Sequence, residues 1–160
     1  MNPGTDLRTN LRTNLRTKPN TILKENLMQG VELLKKHEGF SGMPYKCTKG
    51  CNTIGYGTLL PLSEEEAEML LRYRLSKVQR TLQDNISFYD DLPIEIRKVL
   101  GNMAYQMGVV GVLQFRKTLG YLQKREFYAA AIEMLDSEWS QQTPNRALEL
   151  SAIVAKCSGM

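Results

Sequence analysis

Histidine and cysteine are scarce in this chain, and it has no long apolar run. There is one His, and there are three Cys, in 160 residues. A structural zinc site is built from four well-spaced Cys and His ligands. His37, Cys47 and Cys51, with Cys157 remote in sequence, do not make one. No metal and no cofactor are therefore expected. An odd, sparse set of cysteines also excludes a disulfide scaffold and fits a chain made in a reducing cytoplasm. No apolar stretch reaches the ~20 residues of a membrane helix, and the N-terminus lacks the apolar core of a secretory signal. Charge of neither sign dominates: 21 Lys and Arg stand against 17 Asp and Glu, a net charge of +4. So mild an excess suits an anionic partner such as cell wall, nucleic acid or lipid headgroups, and plain solubility explains it equally well. Hydrophobic residues make up 42% of the chain, which is enough for one domain or two packed lobes with a true core.

The chain opens on a tandem repeat. Leu7-Arg8-Thr9-Asn10 recurs as Leu11 to Asn14 and, altered, as Leu15 to Lys18. As a helix it would be a short basic amphipathic segment for a membrane or wall surface. Thr and Asn are poor helix formers and Leu is the only apolar type, so a flexible extension over residues 1–19 is the better reading. Thr21 then caps a helix with apolar positions at Ile22, Leu27, Val31 and Leu34. Ser63-Glu64-Glu65-Glu66 is a strong start for a long helix running to about Leu82. Pro93 opens a third helix, almost continuously apolar from Val99 to Ala104 and broken at Gly108 and Gly111. Shorter helices are expected near 113–122, 126–135 and 144–155.

Between the first two helices lies the run from His37 to Gly57. Gly39 is a natural helix stop, which leaves Glu38 in a last turn. That is the disfavoured end of the helix dipole for a carboxylate. Past Pro44, Tyr45 to Cys47 and Cys51 to Ile54 flank Thr48-Lys49-Gly50, the pattern of a β-hairpin closed by a glycine-containing loop. Two-residue alternation puts Thr53 on the face of Cys51, with Cys47 across the loop. Glu38, Cys47 and Thr53 can thus line one cleft between a helix end and a hairpin. Each has an ordinary alternative: an exposed Glu, a small buried Cys and a β-branched strand residue. Cys47 and Cys51 are spaced for a disulfide, unless strand twist points their sulfurs apart, and spacing leaves both open.

Cys47 lies nine residues after Glu38, and Thr53 six residues after Cys47. With Thr53-Ile54-Gly55-Tyr56-Gly57, Asn102 to Gly108, Trp139 and Gln142-Thr143-Pro144-Asn145-Arg146-Ala147, this order of motifs resembles the phage-type lysozymes, glycoside hydrolase family 24. The resemblance runs from about Thr21 to the C-terminus. It implies an α+β, lysozyme-like fold: a small hairpin-containing lobe (about 37–63) and a larger helical lobe (about 83–160) joined by a long helix, within a catalytic domain spanning 20–160. Two positions depart from the family pattern: Thr58 stands where most members have His, and Cys47 where Asp is commoner.

The resemblance implies an endolysin that cleaves the β-1,4 bond between N-acetylmuramic acid and N-acetylglucosamine of peptidoglycan. Glu38 would be the general acid, with Cys47 and Thr53 on the water side of the sugar. A general acid must keep its proton at neutral pH, and partial burial beside Met43, Tyr45 or Tyr105 would favour that. Leu59, Tyr105, Thr118 and Glu133 would bind substrate, although the family has Ser and Asn where Thr118 and Glu133 stand. Arg146 and Gln106 would support the site, and Trp139 suits a core role better than a sugar platform. The expected partner is the glycan strand and not nucleic acid. The expected protein is a monomer without an integral membrane segment, made in the host cytoplasm and reaching the periplasmic wall through a holin. A lytic transglycosylase and a wall-binding module that has lost catalysis are the alternatives.

Overall fold

The computed structural model describes residues 19–159, and the Leu-Arg-Thr-Asn repeat lies outside them. The chain divides into two compact units that meet in sequence between Ser63 and Glu64.

The first unit holds helix α1 (Pro19–Glu38) and a three-stranded antiparallel sheet in the order β1 (Ser41–Lys46), β2 (Asn52–Gly55), β3 (Thr58–Leu59). The helix starts at Pro19, two residues before the expected cap at Thr21. It stops where expected: Gly39 has φ +67°, and its N–H donates to the Lys35 carbonyl at 3.1 Å. Ser41 pairs with Gly55, and Tyr45 with Thr53, with a bulge between. Pro44 lies in that bulge, where its missing N–H breaks no regular ladder bond. The third strand is too short to carry a readable alternation. Thr53 is the only fully buried side chain among the described residues of this unit. Of the apolar positions expected to face a core from α1, Val31 is half-buried, while Ile22, Leu27 and Leu34 are exposed. Strands of six, four and two residues offer too small a sheet to cover a 20-residue helix.

The second unit begins with α2 (Glu64–Asn85) and the buried helix α3 (Ile94–Leu113), which follows Pro93. Ile96, Val99, Leu100, Met103, Ala104 and Val112 put α3 in the middle of the hydrophobic core. Each large apolar side chain buried there contributes roughly 1.5–3 kcal/mol. Helix α2 packs against α3 at Gly101, where a Cβ would make an ordinary contact 3.6 Å from Leu75 Cδ1. Gly108, at φ +79° and ψ 159°, kinks α3 as expected, whereas Gly111 does not end it. Then come α4 (Arg116–Gln123), α5 (Phe127–Leu135), α6 (Glu138–Gln142) and α7 (Pro144–Lys156). Helix α6 is a single capped turn, with Ser137 Oγ accepting from the Ser140 N–H, and it is too short for a periodic signal. Among the described residues, no helix is long and apolar enough to cross a membrane.

Candidate active site

Glu38 is the last residue of α1, and Gly39 turns the chain away after it. Lys35, Lys36 and His37 share that last turn and offset the unfavourable end of the helix dipole. The carboxylate lies against the β2–β3 turn. A Cβ built on Gly57 would be 2.9 Å from Glu38 Oε2 and 3.3 Å from Cδ. Gly57 also has φ +78°, so glycine suits the backbone there and lets the carboxylate end lie closer than a Cβ would allow. The Glu38 side chain is exposed, and Met43 is 74% exposed, so neither Met43 nor Tyr45 supplies the expected shelter. Phe40 and Tyr56 pack together beside this turn, with ring centroids 5.2 Å apart and ring planes tilted by 50°.

The hairpin closes as expected. Gly50 N–H donates to the Cys47 carbonyl at 2.8 Å, Cys47 N–H donates to the Cys51 carbonyl at 2.9 Å, and Gly50 takes φ +79°. Cys47 and Cys51 therefore face each other across Thr48-Lys49-Gly50, and both are free thiols. The Lys49 and Cys51 backbone N–H groups, and then the Cys51 thiol, hold Cys47 below the usual thiol range. Cys51 is pushed up by its bond to Cys47 and by the negative charge there. Cys47 is the better thiolate of the pair.

Thr53 is 2% exposed, and its hydroxyl donates to the Tyr45 carbonyl at 3.2 Å. The proton of that hydroxyl is committed, and its lone pairs remain as acceptors. Tyr45, Thr53 and Leu59 are in direct register across the three strands, so they share one sheet face. Pairing carries the same face on to Cys47 and Cys51. The sheet thus groups Cys47, Thr53 and Leu59.

The remaining expected residues lie in the second unit, in two groups. Thr118 and Glu133 line a cavity of about 540 Å³ between the start of α4, helix α5 and helix α6. Lys117 Nζ stands 3.4 Å from Glu133 Oε1. Thr118 Oγ1 is buried without a hydrogen-bond partner. Trp139 is a wall of this cavity and mostly core. It is 6% exposed, packs edge-on against Phe115 at 6.0 Å, and donates from Nε1 to Gln106 Oε1 at 3.1 Å. Tyr105 and Arg146 line a second cavity of about 290 Å³, with Asn102 and Lys98. Sequence reasoning missed Lys117 and Lys98, which are charged residues on polar helix faces without a motif around them. The adjacency of Lys117 to Thr118 was the available signal.

Comparison with known proteins gives the family of the chain. The family model described as phage lysozyme matches residues 35–154. A probable T4-type lysozyme 1 of Dictyostelium discoideum is 27% identical over 155 residues, covering 77% of this chain and 91% of that protein. The pre-baseplate central spike protein Gp5 of Enterobacteria phage T4 is 27% identical, covering 79% of this chain and 28% of that protein. The peptidoglycan hydrolase gp36 of Pseudomonas phage phiKMV is 28% identical, with 79% of this chain and 15% of that protein covered.

Proposed function

The chain belongs to the phage lysozyme family and is a glycoside hydrolase acting on cell wall, and from that premise we propose that it cleaves the β-1,4 bond between N-acetylmuramic acid and N-acetylglucosamine. The observation that carries this reading is the seat of Glu38. A carboxylate ends a helix at its disfavoured pole and lies over a glycine that leaves room for it. A carboxylate placed there, with Lys35, Lys36 and His37 offsetting the helix end, is a group held in position for chemistry.

Glu38 gives its proton to the glycosidic oxygen as the bond to the anomeric carbon breaks. The Glu38 side chain is exposed, so bound glycan itself must exclude water around it. Cys47, held toward thiolate by two backbone N–H groups and the Cys51 thiol, supplies negative charge on the opposite face of the oxocarbenium-like transition state. Water adds to the anomeric carbon, and its proton passes to the thiolate. Thr53 accepts a hydrogen bond from that water through its free lone pairs. Leu59, Tyr105, Thr118 and Glu133 hold the glycan, and Arg146 and Gln106 support them. The catalytic domain spans residues 20–160, with 1–19 an extension. The protein is a monomeric endolysin, made in the host cytoplasm and passed to the periplasm through a holin for host lysis.

Replacing Glu38 by Gln keeps the shape and removes the proton. Turnover of purified wall falls by ~100-fold or more while the fold persists. Wall clearing by folded Glu38→Gln at the parent rate would overturn the assignment.

A further inference from the structure

The hairpin tip carries two thiols where the proposed reaction uses one. Lys46 pairs with Asn52, so Cys47 and Cys51 are the next opposed residues, and the Cys47 N–H donates to the Cys51 carbonyl at 2.9 Å. Both thiols are free, and the two side chains hydrogen-bond to each other. Cys51 is exposed and Cys47 half-buried, so an ion reaches the pair from solvent. Opposed residues of an antiparallel pair hold their Cβ atoms about 4.5–5.5 Å apart, whereas a disulfide needs about 3.5–4.5 Å. The pair is therefore wide for a direct S–S bond and suits one atom held between the sulfurs. The Lys49 and Cys51 backbone N–H groups already point at the Cys47 sulfur, as donors in the outer shell of a metal-bound thiolate do.

Ligand count decides which ion fits. Zinc asks for four ligands. Among the described residues, no three His, Cys, Asp or Glu side chains are grouped to hold a metal. A soft monovalent ion is satisfied by two thiolates in line, and thiolate is the ligand that selects Cu(I). We propose that Cys47 and Cys51 together bind one Cu(I) ion in two-coordinate form. Two S–Cu bonds form, both thiol protons leave to solvent, and copper keeps its oxidation state. The bis-thiolate site then carries a single negative charge, beside the exposed Lys46 and Lys49. Bound copper takes up the sulfur lone pair that would otherwise accept the proton of water, so wall hydrolysis stops until the ion is removed. The binding site goes beyond the lysozyme reading, and only this loss of activity rests on it.

The test uses the full chain, reduced and kept free of oxygen, titrated with Cu(I) against the coloured chelator bicinchoninate. The parent should take up one Cu(I) per chain, and X-ray absorption should show two sulfur ligands and no others. Cys51→Ser should bind more than ~100-fold more weakly, beyond the ~10–100-fold that an outer-shell change alone costs. Cys157→Ala should bind like the parent. Equal affinity of Cys51→Ser and the parent overturns the pair. A third ligand in the absorption spectrum overturns the two-coordinate ion, and one Cu(I) shared between two chains in native mass spectrometry overturns the site within one hairpin. Copper loading should also remove turnover of purified wall, and the chelator bathocuproine should restore it. Full turnover by the copper-loaded chain would count against the role given to Cys47 in hydrolysis, because the titration and the absorption spectrum read the site without any cleavage.

Discussion

Gly57→Ala isolates the positioning of Glu38 from the stability of the turn that carries it. Two costs act at this residue. At φ +78° an L-side chain is strained, by roughly 1–2 kcal/mol for alanine. The new Cβ would also stand 2.9 Å from Glu38 Oε2, against about 3.4 Å for ordinary contact, so the carboxylate must retreat by about 0.5 Å. A flexible carboxylate end retreats at little cost in stability, and the price falls on catalysis. A misplacement of ~1 Å costs on the order of 100-fold, so half of that predicts about tenfold in kcat. Gly55→Ala is the matched control. Gly55 has φ +70°, and a Cβ there meets nothing within 4 Å. Both variants should lose stability by a similar ~1–2 kcal/mol in urea melts. Only Gly57→Ala should lose about tenfold in turnover of purified wall, assayed well below either melting temperature. Equal activity of the two variants refutes the argument that Gly57 exists to admit Glu38.

Two further predictions concern the hairpin sulfurs. Cys47→Asp should stay active, because it restores the charge the family more often uses there, and Cys47→Ala should lose at least ~100-fold on purified wall; an Ala variant matching the parent would show that this position does no chemistry. In pH–rate profiles of kcat/KM, activity should rise with pH through the Cys47 titration, with its midpoint below the usual thiol range; Cys47→Asp should move that limb down to the carboxylate range, and Cys51→Ala, which removes one thiol donor, should move it up. The linkage has the same sign in stability. A depressed Cys47 binds fewer protons folded than unfolded, so its contribution is present above the unfolded pKa and lost as pH falls through the folded one.

The helical unit was the legible part of the fold. Pro93, the apolar run to Ala104 and the Ser63 cap each fix an element through a local rule, and α2 and α3 begin at or next to them. The stop at Gly39 and the hairpin around Gly50 were equally legible, because a positive φ has few alternatives to glycine. Helix α6 and strand β3 are five and two residues long, too short for any periodicity to mark them. The exposure of Ile22, Leu27 and Leu34 was not legible either. Spacing tells which residues share a helix face and not how much sheet there is to cover it. Within the candidate site, Glu38, Cys47 and Thr53 stood out through their order in the chain. The contact of Glu38 with Gly57 and the Thr53 bond to Tyr45 are tertiary facts that sequence spacing cannot supply.

The bond that is cut is the central claim, and the products report it directly. Purified peptidoglycan digested by the full chain, reduced with borohydride and resolved by mass spectrometry should give disaccharide–peptides with reduced muramic acid at their ends, and Glu38→Gln should give none. Reduced glucosamine ends or anhydromuramic ends from the parent would contradict the account, the first by placing the cut at the other glycosidic bond and the second by showing that no water attacks.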